Sequence, residues 1–439
     1  MVNPFTKLGR QKMRITFLIT LIAVQWGCLA TPLTERQQWL KAHASPLQHL
    51  APHKDTHDLK AVLEIIGDNR IVAMGEQTHG TREFFQFRNR VFQYLAEHKG
   101  FKYFLLEAHL DEGLLTDRIL QTRVPVPKEL LRRDYFNWRA LEMRQNLIWI
   151  AKYNQDKPPG ERIHYWGIDM QECYQAINIL LGYLQDKEDL GARAEKLYAQ
   201  YRPYGNLMQM MAYYEQSPEI KEQCRLGVMA VIQLFEDNRE MLIAKSSPEV
   251  YRTMRRLTEI VRQNEHLYGT SDVLLREFYM AKNLKWIVDN APDGARFFLT
   301  AHNLHLIKQQ IRVQMPHIGV DEPIRYMGAQ VYDDYRGTIC SFGFATFSGR
   351  CNALAGDRIG VYELQPNPAA HQVDLAAAQR GPSVIDLRQL PAALDELKPF
   401  RNIGLIIPEK FYPEYPMQLK LHECWDALVV IPETTETTY

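Results

Sequence analysis

The 439-residue sequence predicts an α/β fold, a largely parallel sheet flanked by helices, and three observations support this. Four short apolar runs (Ile71 to Met74, Phe101 to Leu106, Ile163 to Ile168 and Phe297 to Ala301) have the length and continuity of strands buried on both faces. A helix-like stretch follows each run, as the crossovers of a parallel sheet require. The composition is 46% hydrophobic and 24% charged, which is ordinary for a globular protein and sufficient to bury such a sheet.

The chain opens with Lys7, Arg10, Lys12 and Arg14 ahead of the apolar stretch Ile15 to Val24, which is too short to span a bilayer as a helix. Residues 1–30 therefore read as an export signal ending at Cys28-Leu29-Ala30. The expectation is a periplasmic or secreted protein with no stable membrane insertion, its domain covering residues 31–439. Lipid anchoring through Cys28 is the second reading, because Gln25 and Trp26 suit the positions before a lipidated cysteine poorly. Five cysteines then remain, an odd number without a C-x-x-C pair, so no disulfide framework is indicated. Cys340 and Cys351 could join in an oxidising compartment, but buried thiols are the preferred reading. With 52 basic and 52 acidic side chains the chain lacks the charge of a nucleic-acid binder, and no such partner is expected.

Each apolar run ends in titratable groups. The first is followed by Gly75-Glu76-Gln77-Thr78-His79-Gly80, the second by Glu107, the third by Asp169 and the fourth by His302-Asn303-Leu304-His305. Strand C-termini of a parallel sheet share one edge, so these groups should converge on the crevice where such folds bind ligands. On the helix after the first strand, Phe84, Val91 and Leu95 mark an apolar face that also holds Arg88. A guanidinium there needs a buried carboxylate, with Glu76 or Glu107 the natural partner. Arg90 lies off this stripe and is expected in solvent. Thr78 and Thr81 are positioned to cap the helix.

From about 171 to 290 the pattern turns to long amphipathic stretches without strand signals, predicting a mostly helical insertion over the strand C-terminal edge. Its Tyr201, Tyr204, Met208, Met210, Met211, Tyr213 and Tyr214 suit either helix packing or a bulky, partly apolar ligand. The remaining histidines, among them His43, His49, His53, His57, His266 and His422, read as surface or structural.

The segments GEQTHGTREFFQFR, LLEAHLDEG, NWRALEMRQNLIWIAKYN, YWGIDMQ, REFYMAKNLKWI and TAHNLH, together with WDALVVIPETT near the end, occur in an order and spacing that resembles the erythromycin esterase family. The resemblance is weakest from about Asn352 to Lys398. It implies hydrolysis of a carboxylic ester or macrolide lactone, the chemistry of antibiotic resistance in that family, without a serine nucleophile or cofactor. By position it implies His79 as general base, Glu76 as its acidic neighbour, Arg88 as the arginine of the following helix, Glu107 as the glutamate of the second strand end, and His302 and His305 as the paired histidines.

The residues themselves agree. No G-x-S-x-G, H-E-x-x-H, Walker A or G-x-G-x-x-G motif is present. What the chain offers is a histidine to deprotonate water, a carboxylate three residues earlier to orient it, and a cation for the oxyanion, with the second histidine pair able to protonate the leaving alcohol. Two alternatives use the same residue types. His79, His302, His305, Asp169 and Glu107 could form a metal-dependent hydrolase site, although Arg88 would compete with the ion for carboxylates. A periplasmic protein binding haem or another bulky ligand could use His79 or His302 as the ligand.

Overall fold

The computed structural model describes residues 32–122, 126–127, 130, 136–270, 272, 274–315, 320–356, 358–408 and 414–439. The expected export signal and Cys28 lie outside them. Eight strands form one sheet: β1 (Ala44–Pro46), β2 (Ile71–Met74), β3 (Phe101–His109), β4 (His164–Asp169), β5 (Arg296–Thr300), β6 (Ile339–Ala345), β7 (Ser383–Asp386) and β8 (Ala427–Val430). Their spatial order is β1-β7-β8-β6-β2-β5-β3-β4. From β8 to β4 every pairing is parallel, and only β7 runs antiparallel to its neighbours. The largely parallel sheet is thus present; three of the four predicted strands fall within one residue of their expected bounds, and β3 runs three residues beyond Leu106.

Alternate residues of these strands feed two separate cores, as the two-residue period of a strand dictates. On one face Ile71, Ala73, Leu105, Phe297 and Leu299 pack with the insertion. On the other, Val72, Met74, Leu106, Phe298 and Phe342 meet Phe84, Val91 and Leu95 of helix α1 (Arg82–His98) and Leu147 and Ile150 of α3 (Leu141–Gln155). Between them in sequence, α2 (Leu110–Thr122) follows β3 directly. Burial on both faces explains the unbroken apolar runs, which leave their polar groups for the strand ends.

After β4 come α4 (Tyr174–Leu184), α5 (Leu190–Tyr198), α6 (Pro218–Asp237), α7 (Pro248–Thr270) and α8 (Leu274–Asn290), joined by shorter helical turns. No strand occurs among the described residues between Asp169 and Arg296, which agrees with a helical insertion. The expectation of a helix after every run fails at β5. A single 3-10 turn, Asn303–Leu306, and the hairpin Ile311–Met315 with Val320–Ile324 follow it instead. The five cysteines from Cys173 onward are buried free thiols. Among the described residues no helix is long and apolar enough to cross a membrane.

Candidate active site

The loop after β2 is shaped by close backbone approaches. A Cβ at Gly75 would stand 2.1 Å from Asn303 Oδ1, and one at Gly80 would stand 2.0 Å from the Asn352 carbonyl oxygen. Four distant segments hold this loop. Asn303 N–H donates to Glu76 O (2.8 Å), Ile403 N–H to Gln77 O (3.1 Å), and both Asn352 N–H and Thr437 N–H to Gly80 O (3.0 Å each). Thr81 occupies the N-cap position of α1, but its hydroxyl makes no capping bond. It is instead hydrogen-bonded to the Thr78 hydroxyl, so the expected side-chain cap is absent. The C-terminal segment takes part of that role, its Thr435 carbonyl accepting from Arg82 N–H (3.0 Å).

Held in this way, the loop directs Glu76 and His79 toward each other. Glu76 is fully buried and binds on both sides, with Oε1 accepting from His79 Nδ1 (2.7 Å) and Oε2 from Arg88 (2.7 Å). Burial alone would raise the Glu76 carboxyl, but Arg88 and His79 hold it below the ordinary carboxylate range. The Arg88 guanidinium lies 4.6 Å from the centre of the Phe85 ring. Arg88 therefore faces the core as its helical phase predicts, and of the two candidate partners it takes Glu76. Arg90 departs from expectation. It too is buried, bonded to Asp58 Oδ1 (2.5 Å) and the Asp55 carbonyl (2.8 Å), because the segment before β2 folds over that flank of the helix.

The other strand ends meet at an arginine that sequence reasoning missed. Arg276, in the first turn of α8, donates to Glu107 Oε1 (2.8 Å) and to Asp169 Oδ2 (2.6 Å). Glu107 also accepts from His302 N–H (2.7 Å) and lies 3.1 Å from His305 Nε2. Burial opposes the Glu107 charge, but His305 and Arg276 outweigh it and hold the carboxyl well below its ordinary range. Trp138 supports the same strand end, donating to the Glu107 carbonyl (3.0 Å).

The histidine pair divides into two different groups. His302 is gripped by backbone at both nitrogens, Nδ1 accepting from Leu304 N–H (3.4 Å) and Nε2 donating to Gln77 O (3.3 Å). Burial, with His79 nearby, pushes it down to about 3 and keeps it neutral. For His305 burial also opposes the proton, but Glu107 and Glu277 prevail and push it up to about 10. Only His305 of the pair can therefore carry a proton near neutral pH.

His79, Glu107, Arg276, His302 and His305 line one cavity of about 370 Å³ at the C-terminal edge of the sheet. The insertion contributes Met210, and a loop before β8 contributes Asn402, Gly404 and Leu405. His79 Nδ1 is occupied by Glu76, and Nε2 has no protein hydrogen bond among the described residues. Arg88 is not among the described residues that line this cavity; those that bring positive charge to it are Arg276 and His305. Four carboxylates (Glu76, Glu107, Asp169 and Glu277) surround three fixed cations (Arg88, Arg276 and His305).

The metal alternative finds both of its carboxylates, Glu107 and Asp169, taken by Arg276. Among the described residues no three His, Cys, Asp or Glu side chains gather as a metal set. For the haem alternative, His302 has no free ring nitrogen and only His79 Nε2 remains. A second cavity of about 480 Å³ shares Gln171, Met210 and Arg276 with the first and adds Met211, Tyr214 and Tyr268. The aromatic and methionine residues of the insertion are thus divided, with Tyr201 and Tyr213 packed in the core.

The fold, together with the family and relative its sequence matches, is that of an esterase-type hydrolase. A model of the erythromycin esterase family matches residues 96–434. The chain belongs to the erythromycin esterase family. It is 23% identical over 436 residues to an erythromycin esterase type II of Escherichia coli, covering 91% of this chain and 98% of that one. A solved protein of Bacillus cereus superposes with a TM-score of 0.80 at 23% identity, covering 92% of this chain and 99% of the other. A mutant of the erythromycin esterase EreC in its open conformation superposes at 0.68 with 16% identity, covering 89% and 97%. At such identities the solved structures establish the fold. The family match begins after Glu76, His79 and Arg88, so the roles given to those residues rest on geometry.

Proposed function

We propose that the protein hydrolyses a carboxylic ester or lactone with water activated by His79. One observation carries this reading: the buried Arg88–Glu76–His79 series fixes the imidazole by Nδ1 and leaves Nε2 toward the cavity. Water placed there gives a proton to Nε2 as its oxygen attacks the ester carbonyl carbon. Glu76 balances the imidazolium, while Arg276 and His305 face the oxyanion. The C–O bond to the alcohol then breaks, and the departing alkoxide takes the proton back from His79. A macrolide lactone heads the substrate screen because of the name borne by the Escherichia coli relative, followed by simple lactones and esters with product mass measured.

On the substrate so found, His79→Ala is expected to lose ~100-fold or more of kcat, with the far-ultraviolet circular dichroism unchanged. Near-normal turnover in that folded variant would overturn the assignment. Activity is expected to survive a strong chelator and confirmed removal of transition metals; activity that returns only with added zinc or manganese would restore the metal reading. We also propose that residues 1–30 direct export, which the mass of the mature chain from a periplasmic fraction tests. A chain still beginning at Met1 would refute it.

A further inference from the structure

The first turn of α8 places a second carboxylate–histidine arrangement opposite the first. Glu277 is buried, its Oε1 lying 2.7 Å from His305 Nδ1 while its Oε2 accepts from the Met327 backbone N–H (2.9 Å). The backbone bond fixes the carboxylate, and the carboxylate in turn fixes the ring. On the far side of that ring, Nε2 stands 3.1 Å from Glu107 Oε1. We propose that Glu277 is a positioning residue that, with Glu107, grips His305 by both nitrogens and holds it as a standing imidazolium beside Arg276. Its role in turnover rests on the hydrolase reading above, whereas the grip itself does not.

Among the described residues, charged and titratable groups face His305 from several elements. β3 supplies Glu107, α8 supplies Glu277 and Arg276, and its own segment supplies His302, whose ring centre is 6.4 Å away. Arg276 opposes the proton, since its guanidinium nitrogen lies 3.2 Å from Nε2. Arg276 is itself bridged to Asp169 and Glu107, which spreads its charge over two carboxylates. His302 is kept neutral by burial with His79 beside it, and burial with Glu277 nearby pushes the Tyr326 phenol up, so it is uncharged. Two carboxylates against one shared guanidinium favour the protonated ring. A cation gripped at both nitrogens is a poor proton shuttle but a good fixed charge, needing no reorganisation as negative charge develops on the substrate. This separates the duties of the two histidine sites, His79 moving the proton and His305 supplying the field.

The test is a proton-detected titration of histidine side chains in the 15N-labelled protein, with His305 assigned through His305→Gln. In the unsubstituted protein His305 is expected to keep both ring protons through pH 8. In Glu277→Gln, which keeps the shape and an oxygen for the Met327 N–H, its titration should move down by one pH unit or more. On an ester substrate the same variant should lose ~10-fold or more in kcat with KM within about threefold, and its alkaline limb should move with the His305 titration. Glu277→Asp, which retains the charge, should recover part of both. A His305 that is neutral at pH 7 in the unsubstituted protein overturns the proposal without recourse to any variant, as does an unmoved titration in Glu277→Gln. If no ester is hydrolysed but the titration behaves as stated, the grip stands and the hydrolase reading fails.

Discussion

At the residue scale the site is organised around charges that cannot be removed singly. Glu76 is fully buried and Arg88 almost so, and each satisfies the other. Arg88→Met strands the Glu76 carboxylate and should cost roughly 3–5 kcal/mol of stability, together with most of the activity, since Glu76 would protonate or move away from His79. Chemical denaturation and an ester assay measure both, and unchanged values would show that Glu76 needs no guanidinium. That six candidate residues gather at one edge of the sheet is legible in the sequence, because Glu76, His79, Glu107, His302 and His305 close apolar runs and Arg88 shares a face with Phe84, Val91 and Leu95. Arg276 and Glu277 were not, because charged residues at a helix start are commonplace and nothing local shows that this helix begins over a sheet edge. Arg90 was misjudged for a related reason. A helical stripe reveals one packed face, whereas Arg90 is buried by a separate segment carrying Asp58.

At the element scale the decisive object is the loop from Gly75 to Thr81, which has no regular structure of its own and takes its form from segments hundreds of residues away. Asn352, Ile403 and Thr437 all bond to its backbone, and none of them is predictable from the loop's own sequence. The strands were predictable since burial on both faces leaves an unbroken apolar signature. The wall built from Asn402, Gly404 and Leu405 was not, since Arg401 anchors it by long-range bonds to the Phe347 (3.1 Å) and Gln365 (3.0 Å) carbonyls. Gly80 is where the packing is least forgiving. Gly80→Ala would drive a methyl group into the Asn352 backbone, which has no rotamer with which to yield. The expected cost is ~1–3 kcal/mol, with a larger proportional loss of activity because His79 is the adjacent residue. A thermal melt and a turnover assay test this, and an alanine variant with native stability and turnover would show that the loop has slack.

At the scale of the whole molecule, buried histidines set how stability responds to pH. His302 and His371 are both pushed down to about 3 by burial, His371 with Arg36 beside it, and both are neutral when folded. Unfolding frees them to bind protons near their ordinary value of about 6.5, so between about pH 6.5 and 3 the unfolded chain holds more protons and stability falls as pH falls. Asp111 acts in the opposite direction. Burial pushes it up to about 7, so the folded chain retains a proton that the unfolded carboxyl has lost above about pH 4, and its contribution declines as pH rises toward 7. Of these three strongly shifted groups, two histidines against one aspartate contribute a loss of roughly one proton's worth on acidification, of the order of 1 kcal/mol per pH unit. On the alkaline side His305, pushed up to about 10, gives a contribution that is complete below about pH 6.5 and fades as pH climbs through 10. Stability should therefore peak near pH 6.5 to 7 and decline on both sides, which melting temperatures from pH 4.5 to 9 measure. His371→Gln isolates the acid side, because His371 lies outside the cavity at the sheet edge and exchanges its two ring-nitrogen bonds, to Arg36 (2.6 Å) and to the Leu419 carbonyl (2.7 Å), for an amide that does not titrate. With one of the two strongly depressed histidines gone, the variant should lose clearly less melting temperature from pH 6.5 to 4.5 than the unsubstituted protein, while its alkaline decline is unchanged. An acid limb as steep in the variant as in the unsubstituted protein would place the acid sensitivity elsewhere than in these buried rings.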